Sequence, residues 1–172
     1  MGVDVLIHCM DAVIEVIFVQ RVTNCLLIKD NQALMLQKPR RDWWVAPGGK
    51  MESGESIRDS VIREYFEETN LKIDNPELKG IFTMVNYKDE EIINEWMLFS
   101  FAAHEAEGAA YEVTDEGKLE WHNPSDILSL PMAEGDKQIL DHLMNGKGLL
   151  IGTFKYTEDF TLLDYKLERN GE

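Results

Sequence analysis

Between Gly49 and Leu71 the chain reads G-K-M-E-S-G-E-S-I-R-D-S-V-I-R-E-Y-F-E-E-T-N-L, and no other stretch limits its options so tightly. The pattern predicts a helix that starts near Ser56, with Asp59 three residues on in capping-box style. Val61, Ile62 and Tyr65 supply its core face, and Asn70 suits the left-handed conformation that ends a helix. On that helix Glu64, Glu67 and Glu68 stand at i, i+3 and i+4, so they share one side. Three carboxylates crowded together repel one another unless a cation lies among them, and a hard divalent ion with oxygen ligands suits them. An acidic helix face by itself is usually a solvated one. The Gly48-Gly49-Lys50 loop and Arg63 in register with the glutamates set this face apart.

A chain of 172 residues is long enough for one domain with a real core. Its formal charge of −15 is unusual. A surface this acidic repels a long phosphate backbone, so no long nucleic acid is expected as a partner. A small phosphorylated molecule carried in with Mg²⁺ is compatible, because the metal inverts the local field. Cys9 and Cys25 have neither metal-ligand nor redox spacing and read as reduced, buried thiols, in keeping with a cytoplasmic protein. Val3 to Val19 is apolar but is interrupted by Asp4, Asp11 and Glu15, and it lacks a basic leader. We read it as neither signal peptide nor membrane anchor. An extra strand, a docking helix and translated sequence ahead of a start at Met10 remain open for it. The expected division is an extension over 1–19, a domain over 20–168 and a tail over 169–172, in a monomer or homodimer.

Gln20 to Ile28 is β-rich, Lys29-Asp30-Asn31 is a turn signal, and Ala33 to Gln37 resumes the apolar run, so a hairpin is predicted. Lys38 to Pro47, with two prolines and a Trp-Trp pair, reads as a loop. Leu78 to Tyr87 and Glu95 to Ala103 read as strands joined by an acidic tip. His104 to Gly117 reads as a long loop, a length often tied to function. A short strand at Lys118 to His122, a helical turn at Ser125 to Leu128 and a helix at Lys137 to Asn145 follow. Leu149 to Tyr156 and Phe160 to Tyr165 close the chain as a strand pair. Strands outnumber helices, which argues for a mixed α+β sandwich.

The spacing G-x5-E-x7-R-E-x-x-E-E, met by Gly49, Glu55, Arg63, Glu64, Glu67 and Glu68, resembles the signature of the Nudix hydrolases. Tyr65 stands where that signature has an aliphatic residue, and Asn70 where it has its final glycine; neither change removes a ligand. The resemblance implies an α/β/α sandwich with a mixed β-sheet and a metal-dependent hydrolase of diphosphate linkages. It implies that Glu64, Glu67 and Glu68, with the backbone carbonyl of Gly48, hold Mg²⁺, with Mn²⁺ as a substitute. Arg63 would tie to Glu55 and orient the carboxylates, while Gly49 and Lys50 would let the backbone approach phosphates.

The likeness extends to the MutT-like and oxidised purine nucleoside triphosphatases. It runs through Asp115-Glu116, Trp121, Leu130-Pro131-Met132 and Asp136, and through Gly152-x-Phe154-x-Tyr156 and Leu163-Asp164-Tyr165-x-Leu167. It implies that Glu116 completes the metal site or acts as base, with Glu105, Glu107 and Glu112 as competitors for that role. It also implies that Asp136 reads a purine edge, that Asn24 lines the base pocket and that Lys38 approaches the phosphates. Where the mammalian enzyme has a pocket Asn, a stacking Trp and a second pocket Asp, this chain has Val45, Ala133 and Gly135. Trp43 or Trp44 is left either to supply a stacking face or to serve the core. The reaction expected from the resemblance is cleavage of a nucleoside triphosphate to the monophosphate and pyrophosphate, with 8-oxo-dGTP as first substrate. ADP-ribose, a nucleotide sugar, a dinucleotide or an RNA 5′ end would need the same chemistry, though the acidic balance weighs against RNA. A catalytically silent nucleotide sensor is the other class, and such proteins typically lose carboxylates that this chain keeps.

Overall fold

Alternation along the first strand sets the layering. The computed structural model describes residues 18–170; what was expected of Val3 to Ile17, including Cys9 and Met10, lies outside them. In β1 (Gln20–Lys29) Cys25 and Leu27 face one side of the sheet and Leu26 the other, and all three are fully buried. β2 (Gln32–Lys38) repeats the alternation with Leu34 and Leu36 against Ala33 and Met35. The two strands meet at Lys29 and Gln32, and Asp30 and Asn31 both take positive φ (51° and 58°), the geometry of a two-residue hairpin turn.

The expected loop at Lys38 to Pro47 includes a short strand, β3 (Trp43–Val45), and the glycines after it form another, β4 (Gly48–Lys50). β3 pairs with β2, Val45 opposite Leu36, and β4 pairs with β1, Gly48 opposite Asn24. The prolines flank β3, so its ladder loses no N–H donor. Helix α1 (Ile57–Thr69) starts as expected: Ser56 accepts from the Asp59 amide at 3.1 Å. It ends at Asn70, whose φ is 63° and whose N–H donates to Phe66 O.

β5 (Leu71–Asp74), β6 (Glu77–Lys88), β7 (Glu91–Ala103), β8 (Glu105–Gly108), β9 (Val113–Thr114) and β10 (Gly117–His122) follow. The expected loop at His104 to Gly117 is therefore partly strand: β8 pairs antiparallel with β5 as a separate two-stranded sheet, and β9 pairs with β10. Glu- and Ala-rich sequence carries no strand propensity, so main-chain pairing decides this segment. Helix α2 (Glu134–Asn145) follows a 3₁₀ turn at Pro124–Ser129, and β11 (Leu149–Thr157) and β12 (Leu162–Asn170) complete the chain.

The main sheet runs β12-β11-β6-β7-β1-β2-β10-β9. β1 is parallel to β7 and β11 to β6, while the other pairs are antiparallel, so the sheet is mixed. Val61 and Tyr65 of α1 pack with Leu27, Leu36 and Phe101 on one face; Ile139 and Leu143 of α2 pack with Leu26, Phe82 and Phe154 on the other. The result is the α/β/α sandwich. Cys25 is a free thiol inside it. No helix among the described residues is long and apolar enough to cross a membrane.

Candidate active site

The acidic face is arranged by two cations. The Arg63 guanidinium meets both oxygens of Glu55, Nε at 2.5 Å and Nη2 at 2.9 Å, a fork that fixes the loop before α1 to the helix. Its Nη1 also reaches Glu64 at 2.9 Å and Glu67 at 3.1 Å, and Nη2 donates to the Lys50 carbonyl. Arg63, helped by the Glu52 amide, holds the Glu55 carboxyl down at about 2. The expected Arg63–Glu55 tie is present, and Arg63 binds the face as well as the loop.

Glu68 is turned inward. Its side chain is 9 % exposed against 56 % for Glu67, although both lie on the same helix face. One oxygen of Glu68 accepts the Gly48 amide at 2.9 Å; the other lies 3.4 Å from Lys38 Nζ. Lys38 in turn donates to Glu116 at 2.7 Å. Burial raises the Glu68 carboxyl above its ordinary range, while Lys38 and the Gly48 amide oppose that rise. Of the loop carboxylates, Glu116 is the one joined to Lys38; Glu105 and Glu107 sit on β8, opposite Asp74 and Lys72 of β5.

Close approach to backbone requires the first glycine of the loop, while the second faces the end of the flexible Glu64 side chain. A Cβ on Gly48 would lie 2.0 Å from Thr23 O, where β4 crosses β1. A Cβ on Gly49 would lie 2.1 Å from a Glu64 carboxylate oxygen. Lys50 is exposed. Among the described residues no group of three or more His, Cys, Asp or Glu side chains forms a ready metal cage. The glutamates are instead drawn apart, Glu64 and Glu67 to Arg63 and Glu68 to Lys38.

Beside the carboxylates lies a cavity of about 420 Å³. Asn24, Lys38 and Asp136 all line it, from β1, β2 and α2. The Asn24 Oδ1 is buried with no hydrogen-bond partner. Burial pushes the Asp136 carboxyl up to about 6. Val45 and Ala133 are in the wall, and Trp43 is too. Trp44 is a core residue whose ring meets His122 edge-on at 4.5 Å.

Sequence reasoning missed much of the cavity's mouth. Phe160, at the turn between β11 and β12, has φ of 66° and stands 6.4 Å from Trp43 and 6.2 Å from Trp96 between ring centroids. The Arg41 guanidinium lies 5.1 Å from the Trp43 ring and 5.0 Å from that of Phe160, and donates to Asp159 O. Three separated segments meet there, and no local spacing announces it. The one available signal was an aromatic residue in a turn, at Phe160.

A NUDIX domain model matches residues 12–143, most of the chain. The chain belongs to the Nudix hydrolase family. It is 58 % identical over 151 residues to an uncharacterised Nudix hydrolase of Bacillus subtilis, YvcI, covering 88 % of this chain and 96 % of the relative. The crystal structure of a mutator MutT protein from Bacillus halodurans superposes with a TM-score of 0.85 at 57 % identity, over 87 % of this chain and 98 % of that one. The oxidized purine nucleoside triphosphate hydrolase of Mus musculus is 25 % identical over 86 % of this chain and 94 % of its own. As a Nudix hydrolase the protein acts on acid anhydrides between phosphates.

Proposed function

We propose that this Nudix hydrolase cuts a nucleoside triphosphate to the monophosphate and pyrophosphate, with 8-oxo-dGTP as the first substrate to test. The observation that carries this reading is the position of Lys38, which lines the cavity and also stands between Glu68 and Glu116. A nucleoside seated in the cavity would thus hold its phosphates against the carboxylates. The cavity's volume falls in the range of small-molecule sites, about 300–1,000 Å³.

The donor set fits a hard divalent cation. Glu64, Glu67, Glu68 and Glu116 present only carboxylate oxygens, and Arg63 and Lys38 mark where their field collects positive charge. Mg²⁺, or Mn²⁺ in its place, would be held by these four and the Gly48 carbonyl, and would supply charge neutralisation at the phosphate oxygens and a more acidic water. Arg63 keeps the loop and the helix in one register through Glu55. Gly49 and Lys50 leave room for the phosphates, and Lys38 turns from the carboxylates to them. In the reaction water adds to a phosphorus, the bridging P–O bond breaks and pyrophosphate leaves. Glu116 is placed to take the water's proton or to complete the metal set. The working unit is residues 20–168, because Tyr156 and Phe160 belong to the cavity.

The 8-oxo preference is supported by Asn24. Its buried carbonyl calls for a donor, and an 8-oxopurine carries a proton at N7 where the ordinary purine has a lone pair. The name of the mouse relative points the same way. The test is a hydrolysis screen over dNTPs, 8-oxo-dGTP and ADP-ribose, with and without Mg²⁺. Mg²⁺-dependent release of pyrophosphate from triphosphates is the expected result. Turnover of ADP-ribose alone would overturn the reading, and equal kcat/KM for dGTP and 8-oxo-dGTP would remove the specificity.

A further inference from the structure

Tyr156 is fully buried in β11, lines the cavity, and its hydroxyl makes no hydrogen bond of normal geometry. The Gly135 amide at the start of α2 faces the oxygen, and an N–H offers nothing to the hydroxyl's proton. A buried O–H without an acceptor costs about 1–3 kcal/mol. A group left so in a cavity wall calls for an acceptor.

Its position says what it replaces. A Cβ on Gly135 would fall 2.0 Å from the Tyr156 oxygen and 2.7 Å from the Phe154 ring. No side chain at 135 can coexist with this hydroxyl. The residue before Asp136 therefore contributes nothing to the cavity, and the Tyr156 hydroxyl takes its place in the wall. Burial and the nearby Asp136 charge hold the phenol well above its usual range, so it is a neutral donor at any working pH. The cavity thus sets a neutral donor beside a carboxylate, where two acidic side chains would both accept.

We infer that Tyr156 is a specificity-determining residue of the nucleotide site, donating its hydroxyl proton to the 6-oxo group of a 2-amino-6-oxopurine whose N–H donors face Asp136. This rests on the nucleotide reading of the site. A carboxylate has two oxygens to satisfy, and the guanine edge offers two adjacent donors, N1–H and the 2-amino group, followed directly by the O6 acceptor. An adenine edge has one donor next to one acceptor, so one oxygen of Asp136 would stay unpaired in a buried site. Sites built on such pairs reject the analogue that lacks a partner.

The test is the Tyr156→Phe substitution, which keeps the ring and its packing; a thermal melt checks the fold. Binding of dGMP and dAMP is measured by calorimetry, and kcat/KM for dGTP and dCTP by pyrophosphate release. Loss of the hydroxyl should weaken dGMP binding about tenfold and lower the dGTP-to-dCTP ratio of kcat/KM about tenfold. An unchanged dGMP affinity, or an unchanged ratio, overturns the inference. The wild type alone supplies a second arm: dAMP should bind about tenfold more weakly than dGMP, and equal affinities overturn the inference even if the variant does not fold. Hydrolysis with an unchanged ratio removes Tyr156 and leaves the reaction. Tyr156-dependent dGMP binding without any triphosphate hydrolysis removes the reaction and leaves Tyr156.

Discussion

The acidic face and the aromatic cavity share Lys38 and little else. On the face every carboxylate has a partner: Glu55, Glu64 and Glu67 hold Arg63, while Glu68 and Glu116 hold Lys38. In the cavity Asn24 Oδ1 and the Tyr156 hydroxyl have none, and Asp136 is desolvated without compensation. The five carboxylates of the first region share two cations, and on the proposed function a divalent cation would balance the negative charge that remains. The second is incomplete until a ligand supplies donors and acceptors. A substitution on the face should therefore reach turnover, and one in the cavity should reach affinity and base choice.

Glu68→Gln should break the face most severely. Pyrophosphate release should fall by about a thousandfold, on the scale of losing one charge-stabilising group, with the melting temperature held. Undiminished turnover in Glu68→Gln and Glu67→Gln would sink the proposed site. Arg63→Ala comes next, with a loss of about a hundredfold, because Glu55, Glu64 and Glu67 lose their common partner together.

The same pairing predicts a pH signature. The Glu55 carboxyl is depressed from 4.5 to about 2, so its stabilisation is present above pH 4.5 and is lost as pH falls through about 2. Glu55→Gln should destabilise fully at pH 6 and progressively less below pH 4.5, read from denaturant midpoints across that range.

Two neighbouring tryptophans sharpen the contrast within the cavity. Trp43→Ala should raise KM about tenfold with kcat nearly kept, the scale of one lost stacking face. Trp44→Ala should instead cost about 3–5 kcal/mol of stability, as for a buried aromatic. If both behave alike, the division between mouth and core is wrong.

The smallest of the expected effects is that of Asp136→Asn, and it falls on stability. The Asp136 carboxyl is raised from 3.8 to about 6, so the native state holds the extra proton between those values and stability falls as pH rises through them. The variant should melt higher than wild type at pH 7, by about 3 °C, and no higher at pH 4.

How far each region can be read from sequence follows from the distances along the chain. Gly48 to Glu68 are consecutive, the helix period places the glutamates together, and Ser56 and Asn70 mark its ends. The Arg63–Glu55 tie spans eight positions and was expected from the family resemblance, which rests on this same local segment. What the spacing could not say is that Glu68 turns inward while Glu67 stays in solvent; that depends on Lys38, thirty residues earlier on β2. β3, β5 and β8 were missed because short strands draw their stability from partners rather than from their own residues. Trp43 and Trp44 look equivalent in sequence, and strand alternation in β3 sends one to the cavity and the other to the core.

The amino-acid sequence by itself determined the family, the layered fold and the segment that carries the carboxylates, because those depend on local period, capping and spacing. Tertiary structure alone decided which carboxylate meets which cation, and that Gly135 cedes its space to the Tyr156 hydroxyl. It also decided that Trp43, Trp96 and Phe160 meet at one mouth. Such contacts join strands and helices far apart in the chain, and only the packing of the two helices against one mixed sheet brings them together.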